Sequence, residues 1–270
     1  ILKFYEVICN WTGELPGAEL VLGQPEIWKI GCYYGLMIFG AVVYERGMEI
    51  AENKKHRLVL LCAAWLAAFL FLLPSRQTGL SVTFLDVGQG DGIVLRSESH
   101  TILVDCGSSN SYKDPGGTAA DTLHSMGVTR LSAVVVTHYH ADHTNGLYEV
   151  LRRVPVDKLY LPDIEDEYGV RERLTALAEE KDVQVVWVTD TVTCPLGQAV
   201  LTVYPPVRSG GDLNELGLTA LATSGDFDLL ITGDMSGSTE RKLAETYPLP
   251  DVEVLVVSHH GSRYLSLIHI

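Results

Sequence analysis

No two cysteines of this chain stand in C-x-x-C spacing. Cys9, Cys32, Cys62, Cys106 and Cys194 are scattered, and Cys32 and Cys62 lie inside apolar runs. They read as small buried hydrophobes, not as a thiol metal or redox motif. Internal repeats and low-complexity segments are also absent. Positive charge is scarce over most of the chain. Of 20 basic and 34 acidic residues, positions 1–76 hold 7 and 7, which leaves 13 and 27, a net of −14, for 77–270. Such an acidic region is not an obvious polyanion binder. A polyanionic substrate would need metals to offset that charge locally, or delivery by another part of the protein. The first residue is Ile1, not Met, as expected for a fragment of a longer chain.

Two long apolar runs divide the 270 residues. Ile27–Tyr44 carries one charge near its start, Lys29, and Arg57–Leu73 is apolar after its first residue. Each is near the roughly 17–25 residues that cross a bilayer as a helix, so both are expected to be transmembrane. Arg46, Lys54, Lys55 and Arg57 fall in or beside the short connection, whereas the outer flanks carry only Lys3, Lys29 and Arg76. The positive-inside rule then places that connection in the cytoplasm and everything after Pro74 outside it. With Pro74–Gly79 as linker, the expected division is 1–76, a membrane region with spans 27–44 and 57–73, and 77–270, a separate domain.

From Leu80 the pattern changes to short β runs alternating with helices. Strands are expected over 81–86, 92–96, 101–104, 131–136, 158–161, 183–188, 200–204, 219–222, 228–232 and 252–257. Helices are expected over 119–126, 147–153, 170–181 and 238–246. Residues 88–91 and 107–117 read as turn and loop. This order argues an α/β layered sandwich with mixed sheets.

The chemistry concentrates where strand 131–136 ends. Thr137-His138-Tyr139-His140-Ala141-Asp142-His143 places three imidazoles and a carboxylate within six positions. Crowding so many protonatable groups beside one carboxylate has no evident gain without a metal. Other apolar strands end in the same kind of residue: Asp105, Asp234 after Thr232-Gly233, and His259-His260 after Ser258. Ligand-type residues at several strand ends suggest convergence on one edge, where α/β folds commonly place their sites.

These strings, Thr-His-x-His-x-Asp-His, Thr-Gly-Asp and Ser-His-His-Gly-Ser, resemble the metallo-β-lactamase superfamily. Asp86-Val87-Gly88-Gln89-Gly90-Asp91 narrows the resemblance to the C-terminal domain of the ComEC family of DNA-uptake proteins, over about residues 81–263. The resemblance implies an αββα sandwich, a metal-dependent phosphodiesterase or nuclease, and a role in degrading the DNA strand that is not imported. It also implies DNA, the membrane and the rest of the uptake machinery as partners. In that frame His138 and His140 bind one divalent ion, Asp142 and His143 the other, and Asp234 bridges them. One member of the His259–His260 pair completes the second site, the preferred arrangement being His260 as ligand with His259 touching the scissile phosphate. Such a pair of ions activates water and polarises a phosphoryl group, which makes Asp142, Asp234 and His259 the catalytic candidates. Asp105 is expected behind the site, orienting a ligand histidine. Lys113 and Arg263 are candidates for the DNA backbone.

One departure bears on the metal. No histidine stands between His143 and His259, so the usual third imidazole of the first site is missing. Asn214, with Asp212 behind it, is the candidate replacement, which shifts the preference from Zn²⁺ toward Mn²⁺ or Mg²⁺. Two other readings compete: hydrolysis of another phosphoester or a small ester, because one fold hosts many substrates, and a channel-associated domain with a structural or degenerate metal site. Residues 264–270 do not continue the family pattern, and the domain is expected to be truncated there.

Overall fold

The computed structural model describes residues 2–13, 21–47, 54–73 and 78–261. The chain divides into two compact units, 1–75 with 124–128, and 76–123 with 129–270. The first unit contains helices α1 (Leu2–Gly13), α2 (Ile27–Gly47) and α3 (Lys54–Leu72).

The expected membrane spans are corrected: among the described residues, no helix is long and apolar enough to cross a membrane. Charges bound both apolar runs. In α2 the uncharged stretch 30–44 is bounded by Lys29 and Glu45, and in α3 only 58–72 follows Lys54-Lys55-His56-Arg57. At 1.5 Å per residue each stretch is about 22 Å long, against a hydrocarbon core of about 30 Å. Lys29 is moreover buried, its Nζ donating to the carbonyl of Leu73 at 3.1 Å. The extracytoplasmic placement loses its basis with the spans. The connection 48–53, most of the linker and residues 262–270, including Arg263 and the expected truncation, lie outside the described residues.

The second unit is built from two sheets. The first has the order β1-β2-β3-β4-β5-β6, from β1 (Leu80–Phe84), β2 (Gly92–Ser97), β3 (His100–Cys106), β4 (Ala133–Val135), β5 (Lys158–Pro162) and β6 (Gln184–Val188). The second has β11-β10-β9-β8-β7, from β7 (Val192–Leu196), β8 (Ala199–Tyr204), β9 (Thr219–Ser224), β10 (Phe227–Ile231) and β11 (Val254–Val256). Both are mixed: β3 to β6 run parallel, as do β10 and β11, and the other pairs are antiparallel. The remaining helices are α4 (Pro115–Ser125), α5 (Ala141–Thr144), α6 (Leu147–Arg153), α7 (Val170–Glu180) and α8 (Gly237–Thr246).

The sheets bury one shared core. Ile93, Leu95, Val104 and Val135 of the first pack with Leu201, Ala220, Leu229 and Ile231 of the second. The period of two is visible in β10, where Leu229 and Ile231 face this core while Leu230 joins Tyr204 and Leu221 on the opposite face. The all-buried run of β4 fits a central parallel strand covered on both sides. Helix α4 starts four residues before its apolar signal. Pro115 suits a first helical position, and the Asp114 carboxylate accepts from the Gly117 N–H at 2.9 Å. Parallel neighbours β3 and β4, and β10 and β11, all end at the segments that carry the candidate ligands.

Candidate metal centre

Asp105, at the end of β3, has a left-handed backbone with φ 54°. Outside glycine that conformation costs about 1–2 kcal/mol. It aims a carboxylate that is 1 % exposed at the neighbouring strand end. Oδ1 accepts from the Thr137 N–H at 2.7 Å, and Oδ2 accepts from the Thr137 hydroxyl at 2.6 Å and lies 2.8 Å from His143 Nδ1. His143 is therefore held by Nδ1 from behind, with Nε2 turned toward the site.

On that side the structure brings together His138, His140, Asp142, His143, Asp234 and His260. Ligand atoms of Asp142, His143, Asp234 and His260 all lie within 4.8 Å of one another, close to the span of donors around an ion bound at about 2.0–2.2 Å. His143 Nε2 is 3.2 Å from Asp234 Oδ1, and His260 Nε2 is 3.5 Å from Asp142 Oδ2 and 3.8 Å from Asp234 Oδ2. His138 Nε2 and His140 Nδ1 are 3.2 Å apart, and the His138 ring centre is 4.1 Å from that of His143. The fit to a cation rests on two buried atoms. His143 Nε2 and Asp234 Oδ1 face each other, yet neither makes an aligned hydrogen bond. Buried polar atoms are rarely left so, and a shared cation satisfies both. Nitrogen and carboxylate donors in this mixture suit a divalent metal ion.

The electrostatics show what such an ion would replace. Burial pushes the Asp234 carboxyl up, but the adjacent His143 outweighs it and holds the group well below the usual carboxylate range. Burial lowers His143, and the charge and hydrogen bond of Asp105 reverse this, keeping the imidazole protonated well above its ordinary value. His138 is driven well below its ordinary value by burial and then by the His143 charge. His260 is raised to about 10 by its contacts with Asp142 and Asp91.

Asp91, at the end of the Asp86–Asp91 turn, was not among the sequence-derived site residues. Its carboxylate lies 3.6 Å from His260 Nδ1 and 3.9 Å from His143 Nδ1. Its backbone ties the turn to the metal loop: Asp91 N–H donates to Asp142 O at 3.0 Å, and Gly107 N–H donates to Asp91 O at 2.9 Å. The glycines here serve close approach. A Cβ on Gly90 would stand 2.2 Å from Gly107 O, and one on Gly107 2.5 Å from the Ala141 carbonyl oxygen and the His143 nitrogen. No side chain fits between these three backbones. The signal in the sequence was the Gly-x-Gly-Asp turn itself, whose partners lie too far along the chain for spacing to reveal.

His259, Lys113 and Asn214 make none of these contacts. His259 is exposed, and its ring centre is 6.3 Å from that of His260. Both residues have left-handed backbones, with φ 51° and 53°. Lys113 is paired with Asp86 at 2.9 Å. Asn214 sits in a 3-10 turn, Leu213–Leu216, capped by the Asp212 carboxylate, and its Oδ1 is buried without a hydrogen-bond partner. Asp212 and Leu213 line the same cleft as His140, a space of about 1050 Å³. The cleft walls carry Asp163, Glu165, Asp166, Glu167 and Glu172, with Arg171 and Arg208 as their basic residues.

The chain is 25 % identical over 216 residues to ComE operon protein 3 of Bacillus subtilis, covering 72 % of this chain and 27 % of that one. It is 27 % identical over 206 residues to competence protein ComA of Neisseria gonorrhoeae, covering 76 % and 27 %. It thus spans about a quarter of the length of these relatives, and the resemblance read from its motifs is theirs. Among solved structures, the MIM-2 metallo-beta-lactamase superposes with a TM-score of 0.50 at 14 % identity, covering 68 % of this chain and 75 % of that one, and this likeness shows the fold alone. The family model of the metallo-beta-lactamase superfamily matches residues 85–267, more than half of the sequence, and the chain belongs to that superfamily.

Proposed function

We propose that residues 78–261 form a metal-dependent phosphodiesterase, acting as a nuclease in DNA uptake. The convergence of His138, His140, Asp142, His143, Asp234 and His260 at one edge of the two sheets carries this reading. The names of the competence relatives support the setting, with DNA and the uptake machinery as partners. In the proposal, His138 and His140 hold a first divalent ion with Asn214, and Asp142, His143 and His260 hold a second. Asp234 touches both. Mn²⁺, Zn²⁺ and Mg²⁺ are the candidate ions. When bound, such ions activate water and polarise a phosphoryl oxygen. Asp105 fixes His143 with Nε2 facing inward. Asp91 and Asp142 orient His260 from its two ring nitrogens. His259, exposed beside the cluster, is left to meet substrate. The test is hydrolysis of a single-stranded oligonucleotide by the full chain with added Mn²⁺ or Zn²⁺. The expected result is cleavage that EDTA, Asp142→Ala and Asp234→Ala each abolish. Cleavage that survives all three would overturn the assignment.

A second reading, hydrolysis of a smaller phosphoester or an ester, is favoured by the cleft beside His140. Five acidic residues line it with Asp212, and Arg171 and Arg208 are already paired with Asp163 and Glu215. A wall of that sign repels an extended polyanion. Faster turnover of a mononucleotide diester than of any oligonucleotide would select this reading.

A further inference from the structure

Glu240 lies on α8, six residues beyond Asp234 in sequence, and is 3 % exposed. Its Oε1 accepts from the Ser258 hydroxyl, whose oxygen lies 2.5 Å from the Thr232 hydroxyl and accepts from it, with Thr232 Oγ1 itself 3.5 Å from Oε1. Oε2 is buried with no hydrogen-bond partner. A half-satisfied buried carboxyl is a poor way to stabilise a core, since an apolar side chain of similar size leaves nothing unpaired. What the group does achieve is connection. Thr232 directly follows β10, two residues before Asp234, and Ser258 stands two residues past β11 and two before His260. Only short turns separate these hydroxyls from Asp234 and His260, the two side chains that follow strands of the second sheet into the metal centre. The turns also meet directly, with His259 N–H donating to Gly233 O at 3.3 Å.

We propose that Glu240 is a positioning residue for the metal centre: from α8 it locks the segments that leave β10 and β11 together and so fixes Asp234 relative to His260. The inference rests on the metal-centre reading above, with Glu240 acting through Ser258 and Thr232 and touching no ion. A ligand pair held at fixed spacing binds an ion without first being ordered, and loss of such support commonly weakens metal affinity about 10–100-fold. Glutamine keeps an acceptor oxygen for the two hydroxyls, whereas alanine removes it.

The experiment uses the full chain and reads two quantities. In EDTA, amide exchange at His259 is compared with that at Val203 in β8. With Mn²⁺ and Zn²⁺, dissociation constants are measured for the parent, Glu240→Ala, Glu240→Gln and Ser258→Ala. Glu240→Ala and Ser258→Ala are expected to speed His259 exchange at least tenfold with Val203 unchanged. They should weaken the site of Asp142, Asp234 and His260 by a similar factor, with Glu240→Gln restoring most of both. Equal acceleration at His259 and Val203, or parent-like exchange in Glu240→Ala, overturns the proposal. Should Glu240→Ala fail to fold, Ser258→Ala and Glu240→Gln decide by the same criteria. A parent that binds no metal refutes the metal-centre reading, while the exchange measurement still decides whether Glu240 locks the two turns.

Discussion

Replacing Asp105 with alanine is the most informative single perturbation of this site. The carboxylate satisfies the Thr137 N–H, the Thr137 hydroxyl and His143 Nδ1 at 2.6–2.8 Å, in a place 1 % exposed. The hydroxyl can turn elsewhere, but the N–H and the imidazole cannot. Two buried donors left unpaired at about 1–3 kcal/mol each, one of them charged, give a loss of about 3–5 kcal/mol. Alanine also keeps the left-handed backbone at φ 54°, so no strain is recovered. Asparagine tolerates that conformation and keeps one acceptor oxygen, so Asp105→Asn should cost only about 1–2 kcal/mol. Both variants free His143 to rotate and should weaken metal binding about 10–100-fold. Urea unfolding in EDTA gives the first quantity, and metal titration of the folded Asn variant gives the second. A stability loss below about 1 kcal/mol for Asp105→Ala, or parent-like metal affinity in Asp105→Asn, would refute the reasoning.

Asn214→Ala should lower occupancy of the His138–His140 site in a Mn²⁺/Zn²⁺ competition, and Asn214→His should raise its zinc content; parent-like loading of Asn214→Ala would make Asn214 only a turn residue. Gly107→Ala would set a Cβ 2.5 Å from metal-loop backbone atoms and should destabilise by about 3 kcal/mol, checked by chemical denaturation. In the metal-free protein His260, raised to about 10 by Asp142 and Asp91, contributes stability that is complete below its unfolded pKa of about 6.5 and is lost as pH rises through about 10. Asp142, lowered by its contact with His260, contributes above its ordinary value and loses that contribution as pH falls below it. Asp142→Asn should therefore lower the melting temperature in EDTA more at pH 6 than above pH 10, and an equal effect at both would contradict the pairing.

Much of the second unit was legible because its signals are local. The strand-to-ligand ends at Val136, Ile231 and Val256 could be read from apolar runs stopping at polar residues, and His138 to His143 from spacing alone. Strand β7 was not read, because Pro195 and Cys194 interrupt its β pattern. It is the edge strand of its sheet, where proline is tolerated. Asp91 escaped because its neighbours His143 and His260 are distant in sequence. Glu240 escaped because a glutamate at helical spacing reads as a solvated face, and only the fold shows it turned inward. The expected spans rested on run length alone; charges at Lys29 and Glu45, and at Arg57, bound the uncharged part of each run.

The proposed ligands are unevenly placed along the chain. His138 to His143 form a compact chelating string that exists before folding, whereas Asp234 and His260 join it roughly 90 and 120 residues further on, only once the two sheets have met. The unfolded polypeptide therefore retains part of the affinity. Metal added at a given free concentration will raise the melting temperature by less than the native dissociation constant implies, since ligand bound by the unfolded state subtracts from the gain.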